Sequence, residues 1–140
     1  MLFPKKVKFR KWQTARRNPS KIRNATRGTT ISFGSFGLKS VTYARIRSNQ
    51  IEAARKVLTR SMGKTGKMWI RIFPDRPYTQ KPAEVGMGKG KGDPQGYEAE
   101  VHPGRIIFEV DGVGNAEART MLIKALAKLP IKGKVVARES

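Results

Sequence analysis

The apolar residues of this chain form two stripes with the spacing of an α-helix. We expect the first helix to follow a cap at Asn49 and to end at Gly63 or Gly66, with an apolar face made of Ile51, Ala54, Leu58 and Met62. The second stripe lies within residues 115–129, of which Asn115 is the predicted cap, and Pro130 stops it because proline cannot continue helical hydrogen bonding. Each stripe covers one side of its helix, so both helices are predicted to bury that side in a core.

Short alternating runs of apolar and polar residues predict β-strands. They lie at residues 29–41, 41–47, 67–73, 97–101, 105–110 and 131–138. We expect 97–101 and 105–110 to form a hairpin around Pro103-Gly104, and Gly34 and Gly37 to mark a bulge or a close backbone approach in the first run. The order β-β-α-β, long loop, β-β-α-β predicts an α+β fold, a largely antiparallel sheet with two helices on one face.

Residues 74–96 lack any regular pattern, and we interpret them as a long loop that protrudes from the domain. Pro77, Pro82 and Pro94 interrupt this segment. Glycine occupies every second position of residues 86–92, which we call the glycine loop. Alternating glycines leave the backbone without a preferred conformation, and the residues between them, Met87, Lys89 and Lys91, cannot form a core. Loops of this length in compact chains are usually functional or disordered.

The charge of the chain is strongly positive and unevenly distributed. Lys and Arg number 30 against 10 Asp and Glu, a formal net charge of +20, and the first acidic residue is Glu52. A field of one sign predicts a polyanionic partner, with nucleic acid favoured over an anionic membrane surface. No apolar run is long enough to span a bilayer, and the N-terminus lacks the apolar segment of a secretory signal. We therefore expect a cytosolic protein that has no membrane partner.

Residues 1–28 are predicted to be a basic tail, attached to a single α+β domain at 29–140. The tail shows no periodicity and would be disordered by itself. Phe9 and Trp12 lie among its cations, either to stack on bases or to dock the tail on its own domain. The candidate phosphate contacts are Lys5, Lys6, Lys8, Arg10, Lys11, Arg16, Arg17, Lys21, Arg23 and Arg27 of the tail and Arg55, Lys56 and Arg60 of the first helix.

The residue inventory predicts no enzyme, no cofactor and no metal site. The chain has no cysteine and one histidine, His102, which we expect to be a solvated turn residue. Lys89 and Lys91 are each followed by glycine, so the glycine loop is not a phosphate-binding motif of the Walker type. Glu98 and Glu100 share a strand face and could act as an acid–base pair. In so basic a chain, we expect them to keep an exposed strand soluble or to pair with Lys and Arg.

Several motifs, taken in order, together resemble one family. They are Met1-Leu2-x-Pro4-Lys5-x-x-Lys8-Phe9-Arg10-Lys11, Ser32-Phe33-Gly34-x-Phe36-Gly37-Leu38, Gln50-Ile51-Glu52-Ala53-Ala54-Arg55, Ile70-Arg71-x-Phe73-Pro74-Asp75, Lys81-Pro82, Met87-Gly88-Lys89-Gly90-Lys91-Gly92, Pro103-Gly104 and Lys128-Leu129-Pro130-Ile131. In this combination the chain resembles the bacterial L-sixteen family of large-subunit ribosomal proteins over essentially its whole length.

The resemblance implies a structural constituent of the large ribosomal subunit that binds 23S rRNA and other large-subunit proteins. It implies that the tail cations bind rRNA and that the glycine loop approaches A-site tRNA, and as a further option P-site tRNA, near the peptidyl-transferase centre. The implied loop contacts are Lys81, Met87, Lys89 and Lys91. The family usually has arginine where this chain has Gly86, so no contact of that arginine is implied. A free-standing RNA-binding or chaperone factor is the alternative function.

Overall fold

The computed structural model describes residues 2–6, 22–80 and 93–138 of the chain. Within these residues the fold is α+β, as the pattern predicts. Its elements are β1 (Phe36–Ser40), β2 (Ala44–Arg47), α1 (Ser48–Met62), β3 (Lys67–Ile70), β4 (Arg76–Gln80), β5 (Asp93–Val101), β6 (Ile106–Asp111), α2 (Asn115–Leu126) and β7 (Gly133–Ala137).

The strands form two antiparallel sheets rather than the single sheet that was predicted. One sheet has the order β3-β6-β1-β7 and the other has the order β2-β5-β4. The predicted hairpin of residues 97–101 and 105–110 is wrong, since β5 and β6 belong to different sheets. Residues 106–110 are all buried, and β6 pairs with β1 on one side and β3 on the other. Both of its edges are thereby occupied, and β5 finds its partners in β2 and β4.

The core lies where the two helices pack against each other and against the sheets. Helix α1 contacts β2 and β5 of the three-stranded sheet and β3 of the four-stranded sheet, whereas α2 contacts β1 and β7. The fully buried residues of the core include Leu38, Ile46, Leu58, Phe108 and Leu122. Helix α1 therefore joins the two sheets, and its predicted apolar stripe is the surface that makes the junction.

The helix ends differ from the predicted ones by a few residues. Helix α1 begins at Ser48 and is capped at Arg47, so the predicted cap at Asn49 is wrong. The Gln50 side chain explains the earlier start, because its amide oxygen accepts the Arg47 N–H at 2.9 Å. Helix α2 begins at Asn115 after a cap at Gly114 and ends at Leu126. Its predicted end lies three residues later.

The predicted loop at residues 74–96 is too long at both ends. Residues 76–80 form β4, and residues 93–96 extend β5, to which β4 pairs antiparallel. Strand β4 lies at the edge of its sheet and has a neighbouring strand on one side only. Pro77 is tolerated there because an edge strand does not need every backbone N–H for pairing. A Cβ on Gly96 would come within 3.1 Å of the Tyr78 ring, so glycine makes room for that ring. Residues 81–92, with the glycine loop, lie outside the described residues.

Candidate nucleic-acid interface

The end of the predicted tail is docked on the domain in the described structure. The Ala25 N–H donates to the Pro103 carbonyl at 2.8 Å, and the Ile106 N–H donates to the Gly28 carbonyl at 2.7 Å. His102 completes this contact, with Nδ1 3.1 Å from the Arg23 carbonyl and its ring against Tyr43 at 5.2 Å. His102 begins the turn, as expected, since the Arg105 N–H donates to its carbonyl at 3.2 Å, but its side chain is only partly exposed. Residues 22–28 lie over the connection between β5 and β6, in a fixed position relative to the sheets.

Arg105 is the side chain that holds this docked segment most directly. Its Nη1 donates to the Arg27 carbonyl at 3.2 Å, and its Nη2 donates to the Arg71 carbonyl at 2.8 Å. Gly28 adopts φ +65°, and a Cβ there would lie 2.7 Å from the Arg105 Cζ. Glycine at this position therefore serves both the left-handed backbone and the close approach of the guanidinium. In the sequence Arg105 is one cation among many, and no local signal marks it as an anchor.

The two glutamates of β5 pair with arginines of the neighbouring strands. Arg76 lies 3.6 Å from Glu98 and 3.9 Å from Glu100, and Arg45 lies 3.8 Å from Glu100. The expectation that these glutamates pair with basic neighbours is confirmed, but Glu98 is buried rather than exposed. Burial raises the pKa of Glu98, and the nearby charges of Arg45, Arg76 and Arg47 offset only part of that rise. These carboxylates neutralise the positive charges of arginines in the same sheet. This arrangement does not suit catalysis.

Glu109 is a fully buried acid that the sequence reasoning did not single out. One of its oxygens accepts the backbone N–H groups of Ser32, Phe33 and Gly34 at 3.0, 2.8 and 2.9 Å, and the other is bonded to the Arg71 guanidinium. Burial by itself would raise the pKa of Glu109. The hydrogen bonds from Gly34, Arg71 and Phe33 and the charge of Arg71 outweigh that effect, so its pKa lies below the ordinary value.

The close backbone approach predicted from the glycines of residues 32–37 is confirmed beside Glu109. A Cβ on Gly34 would lie 2.6 Å from the Val110 carbonyl oxygen, and a Cβ on Gly37 would lie 3.1 Å from that of Phe108. Only glycine allows the chain to pass so close to β6. This approach brings three consecutive N–H groups within reach of the Glu109 carboxylate.

Two further acids are also engaged within the domain. Asp111 accepts from the Ser35 hydroxyl at 2.7 Å and from the Gly112 N–H at 2.8 Å, and these bonds lower its pKa. Glu52 pairs with Arg55 one turn further along α1, and the hydrogen bond from Arg55 lowers the Glu52 pKa. Of the acids whose side chains the structure describes, Asp75 and Glu117 alone are exposed.

The cations show the opposite distribution. Those exposed in the described part of the chain are Lys5, Lys6, Arg23, Arg27, Arg47, Lys56, Arg60, Lys64, Lys67, Arg119, Lys124, Lys128, Lys132, Lys134 and Arg138. Folding turns most of the described carboxylates toward internal partners and leaves most of the described ammonium and guanidinium groups exposed. The outer surface is therefore more uniformly positive than the composition alone indicates, and it is suited to bind a polyanion.

The structure places some of the predicted contact residues on this surface. Lys5, Lys6, Arg23, Arg27, Lys56 and Arg60 are exposed, whereas Arg55 is half-buried beside Glu52. The remaining predicted contacts lie outside the described residues: Lys8, Arg10, Lys11, Arg16, Arg17, Lys21, Lys81, Met87, Lys89 and Lys91. Phe9 and Trp12 lie outside them as well, and their two alternative roles stay predictions.

A cluster of aromatic and basic side chains, missed by the sequence reasoning, lies at the edge strand β3. Phe33 stacks on Trp69 with a centroid separation of 6.0 Å and an interplanar angle of 21°. The Arg71 guanidinium carbon lies 5.1 Å from the centre of the same Phe33 ring. Phe33 is 55% exposed although both of these side chains contact its ring. We call Phe33, Trp69 and Arg71 the aromatic cluster.

Other kinds of site find no support in the described ranges. Residues 2–6, 22–80 and 93–138 contain no group of three or more His, Cys, Asp or Glu residues that could hold a metal ion. The same residues include no helix that is long and apolar enough to cross a membrane.

Comparison with known proteins identifies close relatives over nearly the whole chain. The family profile of ribosomal protein L16p/L10e matches residues 4–136. The large ribosomal subunit protein uL16 of Rhodopseudomonas palustris strain BisB18 is 54% identical over 138 residues, which cover 99% of this chain and 98% of the relative. The protein of the same name from strain BisA53 is also 54% identical, and that of Afipia carboxidovorans is 53% identical, with the same coverage.

Proposed function

Because the chain belongs to the ribosomal protein L16p/L10e family, we propose that it binds 23S rRNA through its exposed cations and A-site tRNA through residues 81–92. It is a structural constituent of the large subunit of the cytoplasmic ribosome, and not an enzyme. Its partners are rRNA and other large-subunit proteins. The contacts with individual RNA elements and with tRNA are the new part of the proposal.

The observation that best supports RNA binding is the separation of charge between interior and surface. Glu98, Glu100, Glu109 and Asp111 are satisfied inside the domain by arginines, hydroxyls or backbone N–H groups. The exposed cations, in contrast, extend from the docked segment at 22–28 across α1 to β7. A surface of this kind binds the phosphate backbone and gains free energy from the release of condensed counterions.

The pairing of β4 with β5 supports a special role for the glycine loop. Gln80 pairs with Asp93, so residues 81–92 begin and end at the same end of a two-stranded ribbon. The Arg47 guanidinium lies 4.5 Å from the centre of the Tyr78 ring and reinforces this ribbon close to the loop. The paired strands β4 and β5 hold both ends of a glycine-rich segment. This combination suits a segment that must approach a crowded, negatively charged surface.

We expect the salt dependence of rRNA binding to report the phosphates that α1 neutralises. The double variant Lys56→Gln with Arg60→Gln should make the slope of log K against log salt shallower by about one for each phosphate that is no longer neutralised. Filter binding of the full chain to a 23S rRNA fragment over a range of salt concentrations measures the slope. Ser61→Ala, an uncharged change at an exposed position of the same helix, should leave it unchanged. A wild-type slope near zero contradicts the proposal.

Sedimentation separates this function from that of a free-standing RNA-binding factor. A constituent of the subunit stays with large subunits through a wash of moderate salt. Recovery mainly in the ribosome-free fraction would favour the free-standing factor instead.

We also expect the two loop lysines to act on tRNA without affecting folding. Lys89→Ala with Lys91→Ala should weaken A-site tRNA binding to reconstituted ribosomes about tenfold, because two phosphate contacts of somewhat under 1 kcal/mol each sum to about 1.4 kcal/mol. The control is Lys132→Ala with Lys134→Ala, which removes the same charge from exposed positions around the start of β7. Equal losses in both variants would show that general charge, and not the loop, is responsible.

A further inference from the structure

We propose that the aromatic cluster is a stacking platform for one unpaired nucleobase of the RNA partner, with Phe33 as the surface that the base contacts. The inference rests on the proposed function, because it assumes that the partner is RNA. It adds a contact with a base, whereas the other proposed contacts are made with phosphates. The family resemblance implies no RNA contact for the side chains of the aromatic cluster.

The first support is the combination of exposure and fixed orientation at Phe33. Trp69 and Arg71 both contact the ring, and more than half of the residue is still accessible. An aromatic ring that is held by neighbouring side chains and is more than half accessible is a surface on which single-stranded bases stack. Arg71 adds a cation next to the ring, which strengthens an interaction of this type.

The second support is the way in which the backbone under Phe33 is held. The N–H groups of Ser32, Phe33 and Gly34 all point at one oxygen of the buried Glu109 carboxylate. Glu109 also accepts a hydrogen bond from the Arg71 guanidinium. The same acid therefore positions both the segment that carries Phe33 and the guanidinium beside the Phe33 ring. A platform ordered before binding loses less conformational entropy when the base arrives.

The third support is the positive charge around the cluster. Lys67, Trp69 and Arg71 alternate along one side of β3 and its continuation, and Lys67 is exposed. Arg105 links the Arg71 carbonyl to the Arg27 carbonyl, which brings the exposed Arg27 of the docked segment to the same region. The patch therefore combines the two rings of the aromatic cluster with several basic side chains. That composition favours a nucleotide over a protein partner, which would require a broader apolar surface.

The test uses the full chain and two single-stranded probes with the same charge. One probe is an octamer of uridine, and the other is an abasic ribose-phosphate octamer. Phe33→Leu should weaken binding of the uridine octamer about tenfold at constant salt slope, since the base no longer has a ring to stack on and every phosphate keeps its cation. Binding of the abasic octamer should change less than twofold. Phe33→Tyr, which keeps the ring, should bind both probes as the wild type does.

A second measurement does not depend on any variant being folded. An octamer that contains 5-iodouridine should crosslink under ultraviolet light to Phe33 or Trp69 of the wild-type chain, as located by mass spectrometry of the peptides. The platform is overturned if Phe33→Leu weakens both octamers equally, if it weakens neither, or if the crosslinks lie only outside the cluster. In each of these cases, a steep dependence of RNA binding on salt would still support binding to phosphates. A flat dependence would contradict the proposed function itself.

Discussion

Replacing Glu109 by Gln is expected to lower the free energy of unfolding by about 3 kcal/mol. The carboxylate is completely buried, and it accepts three backbone N–H groups in addition to the Arg71 guanidinium. The amide keeps an acceptor oxygen but has no charge. Arg71 then loses its anion in a half-buried site, and the hydrogen bonds to Ser32, Phe33 and Gly34 lose their charge assistance.

Urea unfolding of the full chain, followed by circular dichroism, measures this loss. Glu117→Gln is the matched control, because it makes the same chemical change on the exposed side of α2 and should shift the free energy of unfolding by no more than about 0.5 kcal/mol. Equal stability of the Glu109 variant and the wild type would mean that the buried carboxylate does not organise residues 32–34. The base-stacking platform would then lose its second support.

The pH dependence of stability provides an independent reading of the same carboxylate. The pKa of Glu109 in the folded protein lies below its ordinary value of 4.5, so the unfolded chain takes up a proton at higher pH than the folded one. Its contribution to stability is therefore complete above about pH 4.5 and is lost as the pH falls through the lower, folded pKa. The Glu109→Gln variant should lack this part of the acid destabilisation. A variant that parallels the wild type throughout this range contradicts the assignment.

The second large effect is expected in the core, where Leu122→Ala should lower the free energy of unfolding by about 2–5 kcal/mol. Leu122 has no exposed surface and belongs to the same core as Phe108 and Leu58. Removing its outer atoms forfeits their burial and leaves a cavity between the packed helices and sheets. For a domain whose total stability is of the order of 5–15 kcal/mol, such a loss depletes the folded protein available to bind RNA.

Two positions on the same helix serve as controls for the core prediction. Ile123 is 52% exposed, and Ile123→Ala should change stability by no more than about 0.5 kcal/mol. Leu126 is only partly buried against the core, so Leu126→Ala should fall between the other two variants. Equal destabilisation of all three variants would contradict the assignment of burial, because alanine has the highest helix propensity and propensity alone would not destabilise any of them.

The elements of this fold could largely be predicted because their signals are local. Ile51, Ala54 and Leu58 lie on one helical face whatever the rest of the chain does, and all three are buried. The ends were less predictable, since Gln50 caps α1 with a side chain that has no strong capping preference by itself. Pro77 and the glycines obscured β4, whose strand conformation depends on pairing with β5.

The partition of the strands into two sheets could not be predicted. Alternation shows that β5 and β6 are strands, but their partners depend on which other edges are free in the folded domain. Strand β6 pairs with β1 along one edge and with β3 along the other, so it has no free edge for β5. Sequence proximity favoured a hairpin, and tertiary packing overruled it.

The sequence by itself determined that this protein needs a polyanionic partner, because a net charge of +20 follows from the residue inventory in any conformation. The motifs in their order further indicated a ribosomal family. Only the tertiary structure decided which charged groups pair inside the domain and which remain exposed. Glu109 and Arg71 are 38 positions apart in the chain, and Glu109 and Phe33 are 76 apart, yet they meet in one site. Such contacts depend on which buried groups can satisfy one another once the sheets have formed, and no local pattern encodes that condition.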